Sequence, residues 1–280
     1  MNNFSIIILT FNEEENIESC LQNCLQVSSD IFIVDSYSTD NTLQLIQKYP
    51  VKLTQNKFIN YSHQRNWAQK NCPFQNEWVL HVDAGEGLTN ELIRWLNNEF
   101  PRLKDAYDGF IFSRRVYFMN KWIKRGGMYP NYHLRLFKIS NGFCENKSYD
   151  QHFVVNGSVY KIPLGADVID NNGSSVNDFI LKHLRWANKE AEDLISMQVT
   201  QGNVKESLTG TNIERKRFLK NNLYYKLPIL WRAFFFFIYR YIFCLGFLDG
   251  KIGFIYHFLQ CFWFRVTIDS IFIQHNETNK

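Results

Sequence analysis

Three short apolar runs, each closed by a polar stretch that carries a carboxylate, constrain this chain more than any other feature. Residues 4–9 are β-branched and apolar and break at Thr10, Asn12 and Glu13; residues 31–34 end at Asp35; residues 78–82 end at Asp83. Runs this short and this continuously apolar predict strands buried on both faces. Between them, Ile17, Cys20, Leu21, Cys24 and Leu25 follow helical spacing, as do Leu43, Ile46 and Tyr49, and a strand at 51–54 and a helix at 62–70 continue the alternation. Strand and helix in turn predict an α/β fold with a mainly parallel, Rossmann-like sheet flanked by helices.

Right-handed crossovers put the carboxyl ends of such strands on one edge of the sheet, where open α/β sheets bind ligands at the switch in strand order. Residues 10–13, 35–40 and 83–86 are therefore expected to converge. A single Asp at a strand end is ordinarily a cap or turn residue. Three carboxylate-bearing ends gathered on one edge repel one another unless donors or a cation relieve them, which favours an anionic ligand bridged by Mg²⁺ or Mn²⁺. Arg135 alternates with Leu134 and Leu136 in a strand expected at 133–137, and suits a phosphate.

Further along, the pattern predicts a helix at 89–100, a strand at 109–117 and an amphipathic helix at 178–198, followed by a polar break at 202–210. A chain of 280 residues with 45% hydrophobic content suits one generous core plus an appendage, so the expected division is a catalytic domain at 1–200 and a helical appendage at 201–280. Charge follows the same division: 20 Lys/Arg face 22 Asp/Glu in residues 1–199, but 11 face 5 in residues 200–280, so the tail carries most of the basic character. A formal net charge of +4 argues against a nucleic-acid binder.

Six scattered cysteines without a CxxC pair suggest buried thiols in a reducing compartment. The first residues lack a basic n-region and a cleavage site, which leads to the expectation of a cytoplasmic protein. The tail contains apolar stretches at 227–248 and 252–273 interrupted by Arg232, Arg240, Arg265 and Asp269. Charges at a bilayer centre are costly, so helices lying in the plane of an anionic membrane surface, with the protein peripheral to the inner face of the cytoplasmic membrane, are expected over spanning ones and over a protein-facing or oligomer-forming helix pair.

The segments SIIILTFNEEENIESCL, IFIVDSYSTDNTLQLI, SHQRNWA and WVLHVDAGEGLTNELI, in this order and spacing, resemble the successive blocks of family 2 glycosyltransferases, with looser similarity through YPNYHLRLF and GFLDGKIGF. Within that family the resemblance is to the lipopolysaccharide-core and cell-surface-glycan branch. It implies a glycosyltransferase-A type fold and an inverting transfer from a nucleotide-diphosphate sugar, a UDP-hexose by resemblance, to a hydroxyl of a glycan or lipid-linked acceptor. It also implies that Thr10, Asn12, Glu13 and Asp35 hold the base and ribose, Arg65 the base or diphosphate side, and Asp83 the metal and sugar diphosphate. Gln64 and Asn66 either orient their helix or touch the ligand. Arg114, Arg115, Trp122, Lys124 and Arg125 flank the acceptor side.

Two positions depart from the family pattern. Where the family shows Asp-x-Asp, this chain has Asp83-Ala84-Gly85 followed by Glu86. Glu86 then completes the metal site, or Asp83 acts through water, or metal dependence is weak. The loop that supplies the catalytic base reads Asp150-Gln151-His152 in place of the branch's His-Glu, which leaves Asp150, His152 and Glu145 as candidates. A nucleotidyltransferase would show a basic Gly-rich loop after the first strand, and a dinucleotide oxidoreductase a GxGxxG; neither is present. A non-catalytic sugar-nucleotide-binding or scaffold protein is the alternative, with Gly85 as its best support.

Overall fold

The computed structural model describes residues 4–147, 151–171, 175–195, 207–209 and 212–278. They fall into two compact units, one formed by Met1–Arg115, Asn131–Asn146 and Gln151–Asp170, the other by Val116–Pro130, Lys147–Asp150 and Asn171–Lys280.

The first unit is built on a mixed sheet. Strands β1 (Phe4–Thr10), β2 (Ile31–Asp35), β3 (Lys52–Gln55) and β4 (Trp78–Asp83) are parallel, and β5 (Glu86–Leu88) follows β4 after a tight turn. With β6 (Gly109–Phe118), β7 (Lys121–Ile123), β8 (Tyr132–Lys138), β9 (Gly142–Cys144), β10 (Phe153–Val155), β11 (Val159–Lys161) and β12 (Asp167–Asn171), the main order is β3-β2-β1-β4-β8-β6-β12-β5. Strand β8 runs antiparallel to both β4 and β6, while β9 and β10 form a separate ribbon. The chain leaves β1 toward β2 and β3 and returns to β4 on the opposite side of β1, so the strand order switches there.

The continuous apolar character of β1 has a direct cause. Ile6 and Ile8 point into a core shared with Ile17, Cys20 and Leu21 of α1 (Ile17–Cys24), whereas Ile7 and Leu9 point to the other face and pack with Ala68 of α3 (Tyr61–Asn71). Helix α2 (Thr42–Ile46) sends Ile46 into the first core, as α4 (Asn90–Asn98) does Leu92 and Leu96 and α5 (Phe100–Leu103) does Phe100. Each such side chain, buried, contributes about 1.5–3 kcal/mol. Helix ends are set locally: Asn60 Oδ1 accepts the His63 N–H at 2.8 Å and Thr89 Oγ1 the Leu92 N–H at 3.2 Å, both N-caps. The α/β expectation and its main strands are thus observed; the helix expected at 89–100 is two helices that meet at Glu99.

The second unit holds β7, the end of β6, and helices α6 (Val176–Ile195), α7 (Asn212–Asn222), α8 (Trp231–Ile238), α9 (Gly250–His257) and α10 (Phe264–Thr278). Val116 pairs with Ile123, and Phe118 packs with Phe179 of α6 and Tyr256 of α9. Ala187 and Ala191 of α6 meet Phe264 and Ile268 of α10. This division differs from the boundary expected at residue 200, because the apolar stripe of α6 has its partners in the C-terminal helices. The polar break at 202–210 lies largely outside the described residues.

Candidate active site

In register, Thr10 stands opposite Asp35 and Leu9 opposite Asp83, which brings the polar ends of β2, β1 and β4 side by side at the switch point. The expected convergence is therefore observed. The loops above these ends are tied to each other before any ligand arrives. Asn12 adopts the left-handed region at φ 54°, which Asn tolerates; its Oδ1 accepts the Thr39 N–H at 2.8 Å and its own N–H donates to Ser38 Oγ at 2.9 Å. The Glu13 N–H donates to Thr42 Oγ1 at 2.8 Å, and Glu13 Oε2 accepts from Asn16 Nδ2 at 2.7 Å. Asp35 is fully buried, and its Oδ2 accepts from the Ser38 N–H and from Gln55 Nε2, both at 2.9 Å. Asn12 and Asp35 thus shape the rim of the site through their side chains. Thr10 Oγ1 is buried and has no partner.

The chemically distinctive part is a charge cluster around Asp83. Arg65 Nη2, from α3, lies 3.2 and 3.3 Å from its two carboxylate oxygens. Arg135 Nη2, from β8, lies 3.5 Å from Asp83 Oδ2 and 2.8 Å from Glu86 Oε1. The Asp83 N–H donates to Glu86 Oε2 at 3.0 Å. The Asp83 side chain is 35% exposed, whereas those of Arg65 and Arg135 are 10% and 8% exposed, so one carboxylate is presented above two buried cations. Arg65 Nε and Arg135 Nη1 are buried without a partner among the described residues. Buried charge-bearing donors left open in this way are costly unless an anion meets them.

Burial pushes the Glu86 carboxyl up to about 7, with the negative charge of Asp83 acting in the same direction and the Arg135 guanidinium opposing it. His81 is buried one turn of the pleat below, between Phe137 and Phe153; burial and then the two arginines hold its ring well below its ordinary range, so it adds no charge. The buried donors of Arg65 and Arg135 suit a diphosphate.

Among the described residues no three His, Cys, Asp or Glu side chains gather in a way that could hold a metal ion. Glu86 differs from Asp83 in access, against the expectation that it completes the metal site: its side chain is 4% exposed where that of Asp83 is 35%, and its oxygens meet Arg135 and the Asp83 N–H. The donor set fits a hard cation that takes one protein carboxylate, Asp83, and completes its shell with phosphate oxygens and water.

Gln64 Nε2 donates to Ser36 Oγ and the Asn56 carbonyl, both at 3.1 Å, and Asn66 exchanges hydrogen bonds with the Cys144 backbone at 2.8 and 2.9 Å, so both orient α3. Arg114 and Arg115 pair with Asp170 at 3.0 Å and Asp167 at 2.7 Å, which engages them in holding β12. Trp122, Lys124 and Arg125 lie in the second unit, with Lys124 4.5 Å over the Trp122 ring. Of the base candidates, Asp150 lies outside the described residues. Glu145 is fully buried and its Oε1 accepts the His152 N–H at 2.9 Å, which withdraws it from an acceptor; the His152 side chain is partly exposed. Sequence reasoning passed over Phe11 and Tyr37, which are 51% and 55% exposed at the ends of β1 and β2, Tyr37 at φ 65°. Their signal was an aromatic residue set within an otherwise polar loop.

Comparison with known proteins bears on the family of the chain. The model of the family described as "Glycosyl transferase family 2" matches residues 5–152. An uncharacterised glycosyltransferase of Rickettsia conorii is 22% identical over 203 residues, covering 68% of this chain and 70% of that protein. The lipopolysaccharide core biosynthesis glycosyltransferase LpsC of Rhizobium meliloti is 26% identical over 197 residues, covering 68% of this chain and 71% of its own length. A crystal structure of Staphylococcus aureus TarS 1–349 with UDP-GlcNAc aligns over 99% of this chain and 92% of that chain, with a TM-score of 0.49 and 12% identity. With its family model spanning more than half of the sequence, and strand ends that form one site, the chain belongs to glycosyl transferase family 2 and is a glycosyltransferase.

Proposed function

We propose that the enzyme binds a nucleoside-diphosphate sugar across the carboxyl ends of β1, β2 and β4 and transfers the sugar, with inversion, to a hydroxyl of a cell-surface glycan or lipid-linked acceptor. The observation that carries this reading is the partly exposed Asp83 carboxylate over the buried Arg65 and Arg135, whose Nε and Nη1, respectively, have no partner among the described residues. A UDP-linked hexose is the proposed donor, and the name of the Rhizobium relative supports a lipopolysaccharide-core acceptor.

The loops after β1 and β2 frame the nucleoside, with Phe11 and Tyr37 available for stacking on the base. Arg65 and Arg135 hold the diphosphate and stabilise its charge as the bond to the anomeric carbon breaks; because they are fixed in advance, little reorganisation accompanies the reaction. Asp83 orients both arginines and would hold a Mg²⁺ or Mn²⁺ ion, which supplies further charge neutralisation at the leaving group. The acceptor hydroxyl needs a base on the face opposite the diphosphate, and Asp150 or His152 provides it.

The test is a thermal-shift screen of UDP- and GDP-sugars with and without Mn²⁺. Binding to the native state at a hundredfold excess over Kd adds about 2.7 kcal/mol of apparent stability. Wild type is expected to shift with at least one sugar nucleotide, and Arg135→Ala to lose that shift. Asp83→Asn is expected to keep its fold and lose transfer. A wild type that no sugar nucleotide stabilises, or an Asp83→Asn enzyme with normal turnover, overturns the reading.

A further inference from the structure

One stretch of the C-terminal helices departs from the usual pattern of apolar side chains inside and charges outside. The stretch from Leu227 to Ile273 contains six charged residues: Arg232, Arg240, Asp249, Lys251, Arg265 and Asp269. Five of them turn inward to partners within the unit. Arg232 and Asp269 form a buried pair, with Arg232 Nε 2.9 Å from Asp269 Oδ1. Arg265 Nη1 reaches Glu190 Oε1 at 2.9 Å, Arg240 Nη2 reaches Met128 Sδ at 2.9 Å, and Asp249 Oδ2 accepts the N–H groups of Lys124 and Arg125 at 3.0 and 2.8 Å. Lys251 alone is exposed.

Many of the apolar side chains do the reverse, while Tyr256, Phe264 and Ile268 pack inside. Of the twenty-five exposed large hydrophobic residues among those described, fourteen fall between Leu223 and Phe258. On α8 and the π-turn that continues it to Phe243, exposure recurs with helical period at Trp231, Phe234, Phe235, Tyr239, Ile242 and Phe243, while Arg232 and Ala233 on the opposite side are buried. Ring contacts of Phe237 with Phe254 at 6.4 Å and Phe258 at 6.2 Å, and of Tyr241 with Phe247 at 6.3 Å, join this face to the segment after it. A water-facing helix would have its charges outside, and an apolar face this continuous on a soluble surface is rare.

We infer that this face of α8 and the segment following it is a docking surface for an anionic lipid bilayer, entered to interfacial depth and not crossed. Of the charges that would oppose insertion, Arg232 with Asp269 and Arg265 with Glu190 are paired inside the unit, and Arg240 and Asp249 are turned inward. Exposed Lys226 and Lys251 flank the face, one before α8 and one at the start of α9, where they complement acidic headgroups. Trp and Tyr in the face suit the interfacial region, whose boundary their amphipathic rings prefer. No single helix among the described residues is long and apolar enough to cross a membrane; Trp231–Phe243 with Gly246–Thr278 reaches that length and composition only as a pair bent by 69°. The inference stands apart from the chemistry at the strand ends and does not depend on it.

The experiment is co-sedimentation of the full chain with vesicles of phosphatidylcholine alone and of phosphatidylcholine with phosphatidylglycerol, alongside mass measurement in solution. Wild type is expected to bind the anionic vesicles, and Trp231→Ser/Phe235→Ser/Phe243→Ser to bind on the order of tenfold more weakly or less. These three side chains are 61%, 50% and 74% exposed, so the variant keeps its fold, which its unfolding temperature checks. Lys226→Glu/Lys251→Glu should abolish the preference for anionic lipid. Bromine on the upper acyl chain should quench the wild type more than Trp231→Phe. Wild type that ignores both vesicles, or a triple variant that binds as well as wild type, overturns the inference. A wild-type dimer made monomeric by the triple substitution, with no vesicle binding by either, overturns it in favour of a second copy of the chain.

Discussion

At the scale of single residues, the site depends on which carboxylate remains accessible. Asp83 and Glu86 are three positions apart and both acidic, and sequence alone gives them equal standing as ligands. The structure separates them: Glu86 closes the turn by accepting the Asp83 N–H and fixes Arg135, while Asp83 is left partly exposed. Glu86→Gln is therefore expected to lower kcat by about 10- to 100-fold, the scale for loss of a supporting hydrogen bond, without changing the metal concentration for half-maximal activity. Gly85→Asp should act on the metal response. A Cβ at Gly85 would meet Glu13 Oε2 at 3.8 Å, an ordinary contact, so the added carboxylate is tolerated beside Asp83. It is expected to reduce the metal requirement by about tenfold, as an added charged oxygen ligand does. Titrating Mg²⁺ against the initial rate of each variant checks both; a Glu86→Gln enzyme with unchanged kcat and a raised metal requirement would make Glu86 a ligand after all.

At the scale of elements, legibility followed burial. Strands β1, β2 and β4 were readable because each is sandwiched between helices and so must be continuously apolar, and their ends were readable because polar residues begin abruptly there. The three-residue strands β5, β7, β9, β10 and β11 were not, since a run of three carries no period. Nor could the pairing of Arg114 and Arg115 with β12 be foreseen, because it joins residues about fifty apart. Helix α6 shows what an element-scale contact contributes. Its Glu190 accepts from Arg265 of α10, Lys220 of α7 and the Tyr225 hydroxyl, at 2.9, 2.9 and 3.0 Å. Burial opposes its ionisation, yet Arg265 and Lys220 together bring its carboxyl down to about 2. A carboxyl held below its unfolded value of about 4.3 contributes stability that is present above that value and lost as pH falls toward the folded one, about 3 kcal/mol in all. The unfolding temperature of wild type should thus exceed that of Glu190→Gln by a constant margin from pH 7 to about 5, and the margin should shrink below that. A margin that stays level down to the lowest pH at which the protein folds would assign the effect to packing.

At the scale of the whole molecule, the sequence divides where its polarity changes, at about residue 200, but the cores divide elsewhere. Composition registers exposure to water; it does not register which apolar stripe meets which. Phe179, Ala187 and Ala191 of α6 have the same spacing whether they cover the sheet or meet other helices, and only the tertiary fold shows that Phe264 and Ile268 of α10 and Tyr256 of α9 receive them. A chain ended at residue 200 would retain α6 and the β6–β7 end but remove α9 and α10, leaving Phe118, Phe179, Ala187 and Ala191 uncovered. Losing the partners of several fully buried side chains at about 2 kcal/mol or more each exceeds what a marginally stable unit tolerates. Such a chain is expected to aggregate or to bind a hydrophobic dye strongly. The first unit keeps its own two cores and all of Thr10, Asp35, Arg65, Asp83 and Arg135, so loss of solubility is predicted to arise from residues 116–130 and 171–195. Protection of backbone amides from hydrogen exchange in the full chain separates the cases: α6 and α10 should lose protection together as denaturant rises, at a concentration where β1 and β4 need not follow. A 1–200 chain that is soluble, unfolds cooperatively and exposes no dye-binding surface would place the boundary where the composition changes.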